Sequence, residues 1–269
     1  MKTVLFDLDG TLTDSGEGII NCAQMTLERF GLPVPSREEM RVFVGPPLAD
    51  SFIRHGVPAD RATEAVEIFR SRYVPIGKYE NHPYPGIREL LEALKAQGHR
   101  LYVATSKPEV TAIEVLEYFD LAKYFDGICG ASLDQSRTSK SEVIAFLLEN
   151  EETAGNTVMV GDTAFDVTGA AAHGIPTIGV AWGYGTVEDM ANAGAAAIAD
   201  TPDMLLMVKS SPVLISFSVL LVPCLDVVRV VMRRARNKQP LFMPDKTHIH
   251  HKFLAMGFSP RRAMVTIQL

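Results

Sequence analysis

Five short apolar runs alternate with helix-like segments along this chain, and few folds accommodate that order. Strands separated by helices predict βαβ units and a mostly parallel sheet covered on both faces. The sequence therefore predicts an α/β fold, a doubly wound parallel sheet, in which ligands bind beyond the C-terminal strand ends. The predicted strands are residues 3–6, 100–104, 127–129, 157–160 and 177–180, and the predicted helices are 86–97, 108–119, 139–149 and 164–173.

One stretch, between Asp14 and Pro83, breaks this alternation and contains no convincing strand. A segment of about 65 residues is too long for a loop in a compact domain. We therefore predict a helical cap domain at residues 15–82, inserted into a core domain made of residues 1–14 and 83–208. A cover above a polar site excludes water and selects substrates. Its predicted helices are residues 18–30, 37–43, 48–55 and 60–73.

Two aspartates, Asp7 and Asp9, directly follow the first apolar run. Residues two apart on an extended chain point to the same side, so the two carboxylates are neighbours. Like charges this close repel each other unless a cation or a shared proton neutralises them. The alternative is a plain turn after an edge strand, with Asp9 and Gly10 as turn residues.

Further polar groups follow other predicted strands or begin helices: Thr105 and Ser106, Lys140, Asp162 and Asp166. Taken singly, each has an ordinary explanation as a helix N-cap or a solvated charge. Together they favour phosphoryl chemistry. Mg²⁺ prefers carboxylate oxygens plus a substrate phosphate, and hydroxyl, amide and ammonium groups bind the remaining phosphoryl oxygens. The cation also lets a carboxylate attack phosphorus, while a second carboxylate moves the proton.

This order of groups resembles the haloacid dehalogenase superfamily of phosphohydrolases, over residues 1 to about 208. The family's DxDGT motif matches residues 7–11, its strand-closing Thr or Ser matches Thr105, its lysine matches Lys140, and its GDxxxD motif matches residues 161–166. The resemblance implies that Asp7 is the nucleophile and Asp9 the general acid and base. It also implies that Thr105 and Lys140 hold the phosphoryl group. The implied Mg²⁺ site comprises Asp7, the backbone carbonyl of Asp9, Asp162 and, in support, Asp166.

The second aspartate of the motif indicates which chemistry of the superfamily applies. Dehalogenases lack an acid two residues after the nucleophile, so Asp9 favours phosphoryl transfer by a phosphatase, with a phosphosugar mutase as the alternative. Residues 44–48, 104–108 and 183–185 look like the phosphoglycolate phosphatase and 5'-nucleotidase-like branch. On that basis Ser106, Gly45 and Pro46 are candidate substrate-binding residues, although the Gly-Pro-Pro segment also suits a helix–helix turn. The expected substrate is a small phosphorylated metabolite.

Charge and cysteine content narrow the class of protein. Residues 1–209 carry a net charge of −13, whereas residues 210–269 carry +7. An acidic body argues against nucleic acid as a partner. Three separated cysteines fit neither a disulfide framework nor a zinc site. Because the first predicted strand begins at residue 3, we expect no signal peptide. A cytoplasmic location is expected.

Residues 209–269 differ in character and are predicted to form a helical or irregular appendage. Residues 213–232 are long enough to span a bilayer, although their polar residues also suit a buried helix. Segments 223–229 and 244–251 resemble part of a cytoplasmic loop of the polyprenyl-phosphate N-acetylhexosamine-1-phosphate transferases. Because that family's other motifs are absent, we expect no transferase activity. We interpret the tail as a fused segment. The alternative is a membrane-anchored remnant of such a transferase that works through its tail, with residues 213–232 in contact with the membrane.

Overall fold

The computed structural model describes residues 2–134, 136–151 and 156–207, and a six-stranded parallel sheet runs through them. The strands are β1 Thr3–Phe6, β2 Thr13–Asp14, β3 His82–Pro83, β4 Arg100–Pro108, β5 Gly127–Ala131, β6 Thr157–Gly161, β7 Thr177–Val180 and β8 Ala197–Ala199. The strand order in the sheet is β5-β4-β1-β6-β7-β8. A separate antiparallel pair, β2 with β3, flanks the segment between residues 14 and 82.

Strand β1 lies in the middle of the sheet, and all four of its residues are buried. Phe6 pairs in register with Val103 of β4 on one side and with Val160 of β6 on the other. The next residue, Asp7, donates its backbone N–H to the carbonyl of Val160 at 2.9 Å. Asp7 therefore lies at the end of β1, between β4 and the end of β6.

Helices cover both faces of the sheet, as the alternation of side chains along a strand requires. Val4 and Phe6 pack into one apolar cluster with helices α4 (Ile87–Ala96) and α5 (Glu109–Tyr118). Leu5 faces a second cluster with helices α6 (Lys140–Asn150) and α7 (Ala164–Ala171). Leu90 of α4 is fully buried, and replacing such a leucine by alanine typically costs about 2–5 kcal/mol. The α-helices are α1 Gly16–Arg29, α2 Leu48–Arg54, α3 Ala62–Tyr73, α4 Ile87–Ala96, α5 Glu109–Tyr118, α6 Lys140–Asn150, α7 Ala164–Ala171, α8 Val187–Ala193 and α9 Pro202–Met207.

The helical segment between β2 and β3 has an apolar cluster of its own. Buried side chains of α1, α2 and α3, among them Leu27, Phe52 and Phe69, pack together there. Short 3₁₀ helices complete the segment at Glu39–Phe43, Ala59–Arg61 and Gly77–Tyr79, and one more lies in the core at Ala122–Tyr124. The domain boundaries at residues 14/15 and 82/83 stay a prediction.

The predicted fold class, a parallel α/β sheet covered by helices, is confirmed. Strand β4 runs on to Pro108, four residues further than expected, and its pairing with β5 shifts register between Ala104 and Pro108. The helix expected at 37–43 is only a 3₁₀ helix over its last five residues. Strands β2, β3 and β8 and helices α8 and α9 were not predicted from the sequence. Residues 209–269, with the possible span, the transferase-like segments and the appendage, lie outside the described residues. None of the described helices combines the length and apolar character needed to cross a membrane.

Candidate active site

Three carboxylates meet at the C-terminal end of the central strands. Asp7 follows β1, Asp162 follows β6, and Asp166 lies in the first turn of α7. One oxygen from each lies within 4.8 Å of the others, and all three side chains are buried. The structure thus brings together three of the predicted site residues. We call Asp7, Asp162 and Asp166 the acidic cluster.

Lys140 is the predicted lysine, and it contacts two members of the acidic cluster. Its Nζ lies 2.7 Å from Oδ1 of Asp7 and 2.8 Å from Oδ1 of Asp166, and it donates to the carbonyl of Ala104 at 3.0 Å. Lys140 is the first residue of α6, whose N-cap, Ser139, forms a capping box with Glu142. The capping box fixes where the helix begins and therefore where Lys140 leaves the backbone.

Asp162 is fully buried and held from two sides. Its Oδ1 accepts a hydrogen bond from the Thr11 hydroxyl at 3.2 Å, and its Oδ2 accepts from the Tyr184 N–H at 2.8 Å. The backbone at Gly10 and at Gly183 passes close to the Asp162 side chain. A Cβ on Gly10 would lie 2.2 Å from Oδ2 of Asp162, and a Cβ on Gly183 would lie 2.3 Å from the Cβ of Asp162. Glycine at these positions lets three segments of chain close around one carboxylate.

Asp166 has both a structural role and a place in the acidic cluster. Its Oδ2 accepts hydrogen bonds from the backbone N–H of Thr163 at 3.0 Å and from the Thr163 hydroxyl at 2.8 Å, which caps α7. Its Oδ1 faces Lys140. The N-cap of α7 is therefore Thr163 and not Asp162, while one oxygen of Asp166 remains in the site.

The acidic cluster is electrostatically strained without a cation. Burial, together with the charge of Asp166, raises the pKa of Asp7 to about 6, although Lys140 opposes the shift. Burial and the charges of Asp166 and Asp7 raise the pKa of Asp162 to about 8. Among the described residues, the ion-pair partner of these three carboxylates is Lys140, so negative charge is in excess. A divalent cation with oxygen ligands fits this donor set, because it would neutralise the excess.

Thr105 is buried beside Asp7, and its side chain lowers the pKa of that carboxyl by hydrogen bonding, against the larger effect of burial. Its Oγ1 also accepts a hydrogen bond from the N–H of Lys107 at 3.3 Å. A Cβ on Gly130 would lie 2.5 Å from the Lys107 carbonyl oxygen, so only glycine lets β5 approach here. These contacts explain why β4 continues past its predicted end.

The Asp9 carboxylate is not part of the acidic cluster. Both of its oxygens lie near Nζ of Lys107, at 2.7 and 2.9 Å, and Nζ also donates to the Tyr73 hydroxyl at 2.5 Å. We did not single out Lys107 or Tyr73 from the sequence. The sequence could have indicated Lys107. It lies two residues after Thr105, a predicted site residue, and side chains two apart on an extended chain point to the same side. The metal contact expected of Asp9 concerned its backbone carbonyl and stays a prediction.

The three candidate substrate-binding residues lie at the surface around the site. Ser106 and Gly45 are exposed, and Pro46 is half-buried. Gly45 has a φ of +102°, and a Cβ there would lie 3.5 Å from Cγ2 of Thr163, next to Asp162. The loop that carries Gly45 therefore reaches the edge of the acidic cluster, while substrate contacts by these residues stay predictions.

Curated relatives match most of the described residues. A 5'-nucleotidase of Pseudomonas aeruginosa is 44% identical over 189 residues, which cover 70% of this chain and 86% of that protein. The tyrosine-protein kinase PtkA of Mycobacterium tuberculosis is 44% identical over 188 residues, 70% of this chain and 64% of that protein. More distant relatives include phosphoglycolate phosphatases.

A solved structure shares the fold. The crystal structure of a predicted phosphatase from Clostridium acetobutylicum superposes with a TM-score of 0.73 at 42% sequence identity, covering 76% of this chain and 95% of that one. The family model for haloacid dehalogenase-like hydrolases matches residues 4–180, a span that includes the acidic cluster, Thr105 and Lys140. The chain belongs to the haloacid dehalogenase-like hydrolase family.

Proposed function

We propose that this protein is a Mg²⁺-dependent phosphomonoester hydrolase that works through an aspartyl-phosphate on Asp7. The observation that carries the proposal is the position of Asp7 at the end of β1, within 2.7 Å of a buried lysine and inside the acidic cluster. Mg²⁺ would be held by Asp7 and Asp162, with Asp166 in support, and would supply the positive charge that lets a carboxylate meet a phosphate dianion.

In the first step, an oxygen of Asp7 forms a bond to phosphorus while the bond from phosphorus to the substrate oxygen breaks. Asp9 in its protonated form gives its proton to that oxygen, so that an alcohol leaves. Lys140 and the Thr105 hydroxyl lie beside Asp7 and would bind the phosphoryl oxygens.

In the second step, water attacks the phosphorus of the aspartyl-phosphate. The Asp9 carboxylate takes a proton from this water, and the products are inorganic phosphate and the free carboxylate of Asp7. Asp9 ends the cycle protonated, as it began. One carboxyl group would thus serve both steps. In support, the Asp9 carboxylate is not part of the acidic cluster and contacts Lys107 instead.

The proposed substrate is a small phosphorylated metabolite, either phosphoglycolate or a nucleoside 5'-monophosphate. The supporting observations are the resemblance of residues 44–48, 104–108 and 183–185 to that branch and the names of the relatives. A phosphosugar mutase would use the same groups but would return the phosphoryl group to a sugar instead of water.

The test measures phosphate release by wild type, Asp7→Asn and Asp200→Asn, with Mg²⁺ and with a chelator. Asp200 is exposed, follows the edge strand β8 and is not a member of the acidic cluster, so its variant is the matched control. The substrates are phosphoglycolate, nucleoside 5'-monophosphates, sugar phosphates and pyrophosphate. We expect release that requires both Mg²⁺ and Asp7 and is unchanged in Asp200→Asn.

Two results would count against the proposal. Release that persists in Asp7→Asn would remove the aspartyl-phosphate mechanism. Little free phosphate, together with a requirement for a sugar bisphosphate as activator, would identify the mutase instead.

A further inference from the structure

A buried lysine links the proposed general acid and base to the helical segment above the sheet. Lys107 follows Thr105 by two residues, and its side chain is only 4% exposed. Its ammonium contacts Oδ1 and Oδ2 of Asp9 at 2.9 and 2.7 Å and the Tyr73 hydroxyl at 2.5 Å. An ammonium group has three hydrogens, and these three oxygens match them. The three contacts therefore fix the position of the Lys107 ammonium group.

The anchors of this ammonium lie on different elements. Lys107 belongs to the extension of β4. Its backbone N–H donates to the Thr105 hydroxyl, and its carbonyl oxygen lies close to Gly130. Tyr73 is the last residue of α3, and its ring stacks on Phe69 at 5.1 Å within the apolar cluster of the helical segment. The position of the Asp9 carboxylate thus depends on the sheet and on the helical segment together.

We propose that Lys107 is a positioning residue that orients the Asp9 carboxyl for proton transfer, and that Tyr73 holds Lys107 in place from the helical segment. The inference rests on the proposed function, in which Asp9 protonates the leaving oxygen. Since Nζ contacts both oxygens of Asp9, either oxygen can carry the proton while the other still accepts from Lys107. Losing the contact frees the carboxyl to rotate, and proton transfer depends steeply on such geometry.

The experiment compares two substrates that differ in their need for a proton. An alkyl phosphate releases a strongly basic alkoxide unless it is protonated, whereas 4-nitrophenyl phosphate releases a weakly basic phenolate. The value of kcat/KM covers only the steps up to departure of the leaving group. The ratio of kcat/KM for the alkyl phosphate to kcat/KM for 4-nitrophenyl phosphate therefore reports the acid step, and a loss of folded protein does not change it.

We expect Lys107→Met to lower this ratio by about tenfold, part of the roughly 10²–10⁴-fold that a positioned acid contributes. Asp9→Asn should lower it further, and the double variant should resemble Asp9→Asn alone, because two residues that act as a unit are not additive. The matched control is Lys78→Met. Lys78 is also a buried lysine that joins the helical segment to the core, but its partner is Glu114, at 2.5 Å. Its variant should leave the ratio unchanged.

Tyr73→Phe provides a second, milder test in case Lys107→Met does not fold. It removes one hydroxyl and keeps the ring against Phe69, and we expect the ratio to fall by about threefold, in the same direction. An unchanged ratio in both variants while Asp9→Asn lowers it would overturn the inference and leave the proposed function intact. Additive losses in the double variant would also overturn it, since Lys107 would then act on the substrate directly. An unchanged ratio in Asp9→Asn would instead overturn the acid role of Asp9 and the inference with it.

Discussion

Asp162 illustrates how much charge this site concentrates in a small buried volume. The side chain is fully buried, receives two hydrogen bonds, and lies close to two more carboxylates. Its raised pKa, about 8, follows from burial first and from the charges of Asp166 and Asp7 second. Ionisation of a buried carboxyl with a raised pKa destabilises the folded protein. Binding of a cation to the ionised carboxylate restores the lost stability.

The pH dependence of stability follows from this shift. The pKa of Asp162 rises from 3.8 to about 8 on folding, so between these values the folded state keeps a proton that the unfolded chain has lost. The free energy of unfolding in chelator should therefore fall as the pH rises from about 4 to about 8, and Mg²⁺ should restore it at the upper end. Thermal unfolding followed by circular dichroism at pH 5 and pH 8, with chelator and with Mg²⁺, measures this.

Asp162→Asn isolates the contribution of one carboxyl. An asparagine can keep both contacts, with its carbonyl accepting from the Tyr184 N–H and its amide donating to the Thr11 hydroxyl. We expect a higher melting temperature than wild type at pH 8 in chelator, and a smaller gain on adding Mg²⁺. A variant that melts below wild type at pH 8 in chelator would contradict the electrostatic strain.

Gly10 allows a test of steric fit at the site. Its φ is +85°, and a Cβ would lie 2.2 Å from Oδ2 of Asp162, whereas Gly98 has a φ of +77° and nothing within 4 Å of its Cβ position. Gly98→Ala should cost only the left-handed strain of about 1–2 kcal/mol. Gly10→Ala should lower the free energy of unfolding, measured in urea, by more than Gly98→Ala does. It should also reduce phosphate release. Equal losses of stability in the two variants would show that the contact with Asp162 has no effect.

At the scale of elements, the start of α6 is the feature that ties local structure to chemistry. Ser139 accepts a hydrogen bond from the N–H of Glu142, and the following residue, Lys140, enters the site. Helix α8 has the same kind of cap, in which Thr186 accepts from the N–H of Asp189, but no site residue follows it. The two caps are therefore a matched pair.

Ser139→Ala and Thr186→Ala should each lower the free energy of unfolding by about 1 kcal/mol. Only Ser139→Ala should also lower kcat, by a few-fold, because fraying of the first turn of α6 displaces Lys140 from Asp7. Steady-state kinetics of both variants beside urea unfolding separates the effects. Unchanged kcat in Ser139→Ala would show that packing alone positions Lys140.

Elements with a strong local pattern were predicted well, and those formed by long-range contacts were not. The buried run of β1 matches its predicted bounds, because a continuous apolar run in a parallel sheet is distinctive. The extension of β4 depends on the Thr105 side chain and on the close approach of Gly130, which lie 25 residues apart in sequence. Strand β8 has only three residues, Ala197–Ala199, which are too few to show a periodic pattern.

For the molecule as a whole, the same distinction separates the predicted site residues from the missed ones. Asp7, Thr105, Lys140, Asp162 and Asp166 follow strand ends or begin helices, so that topology alone brings them together. Tyr73 lies 64 residues after Asp9, on a helix, and contacts Lys107 only because the helical segment packs against the sheet. No local sequence pattern identifies such a residue.

The described site residues all lie within the compact unit Met1–Met207. We therefore expect a chain ending at Met207 to release phosphate with the same kcat and KM as the full chain. Parallel kinetics on both chains, each checked by circular dichroism for folding, measures this. A folded but inactive short chain would show that residues 208–269 contribute to the reaction.

Strands β2 and β3 bring the two ends of the helical segment side by side. Thr13 pairs with Pro83 and Asp14 pairs with His82, so the chain leaves and re-enters the core about 5 Å apart. Exchanging the helical segment at these four residues would leave the acidic cluster and Lys140 on their own elements, but it would also remove Tyr73 and its contact with Lys107. At this junction, a change of helical segment is therefore also a change in what holds Lys107.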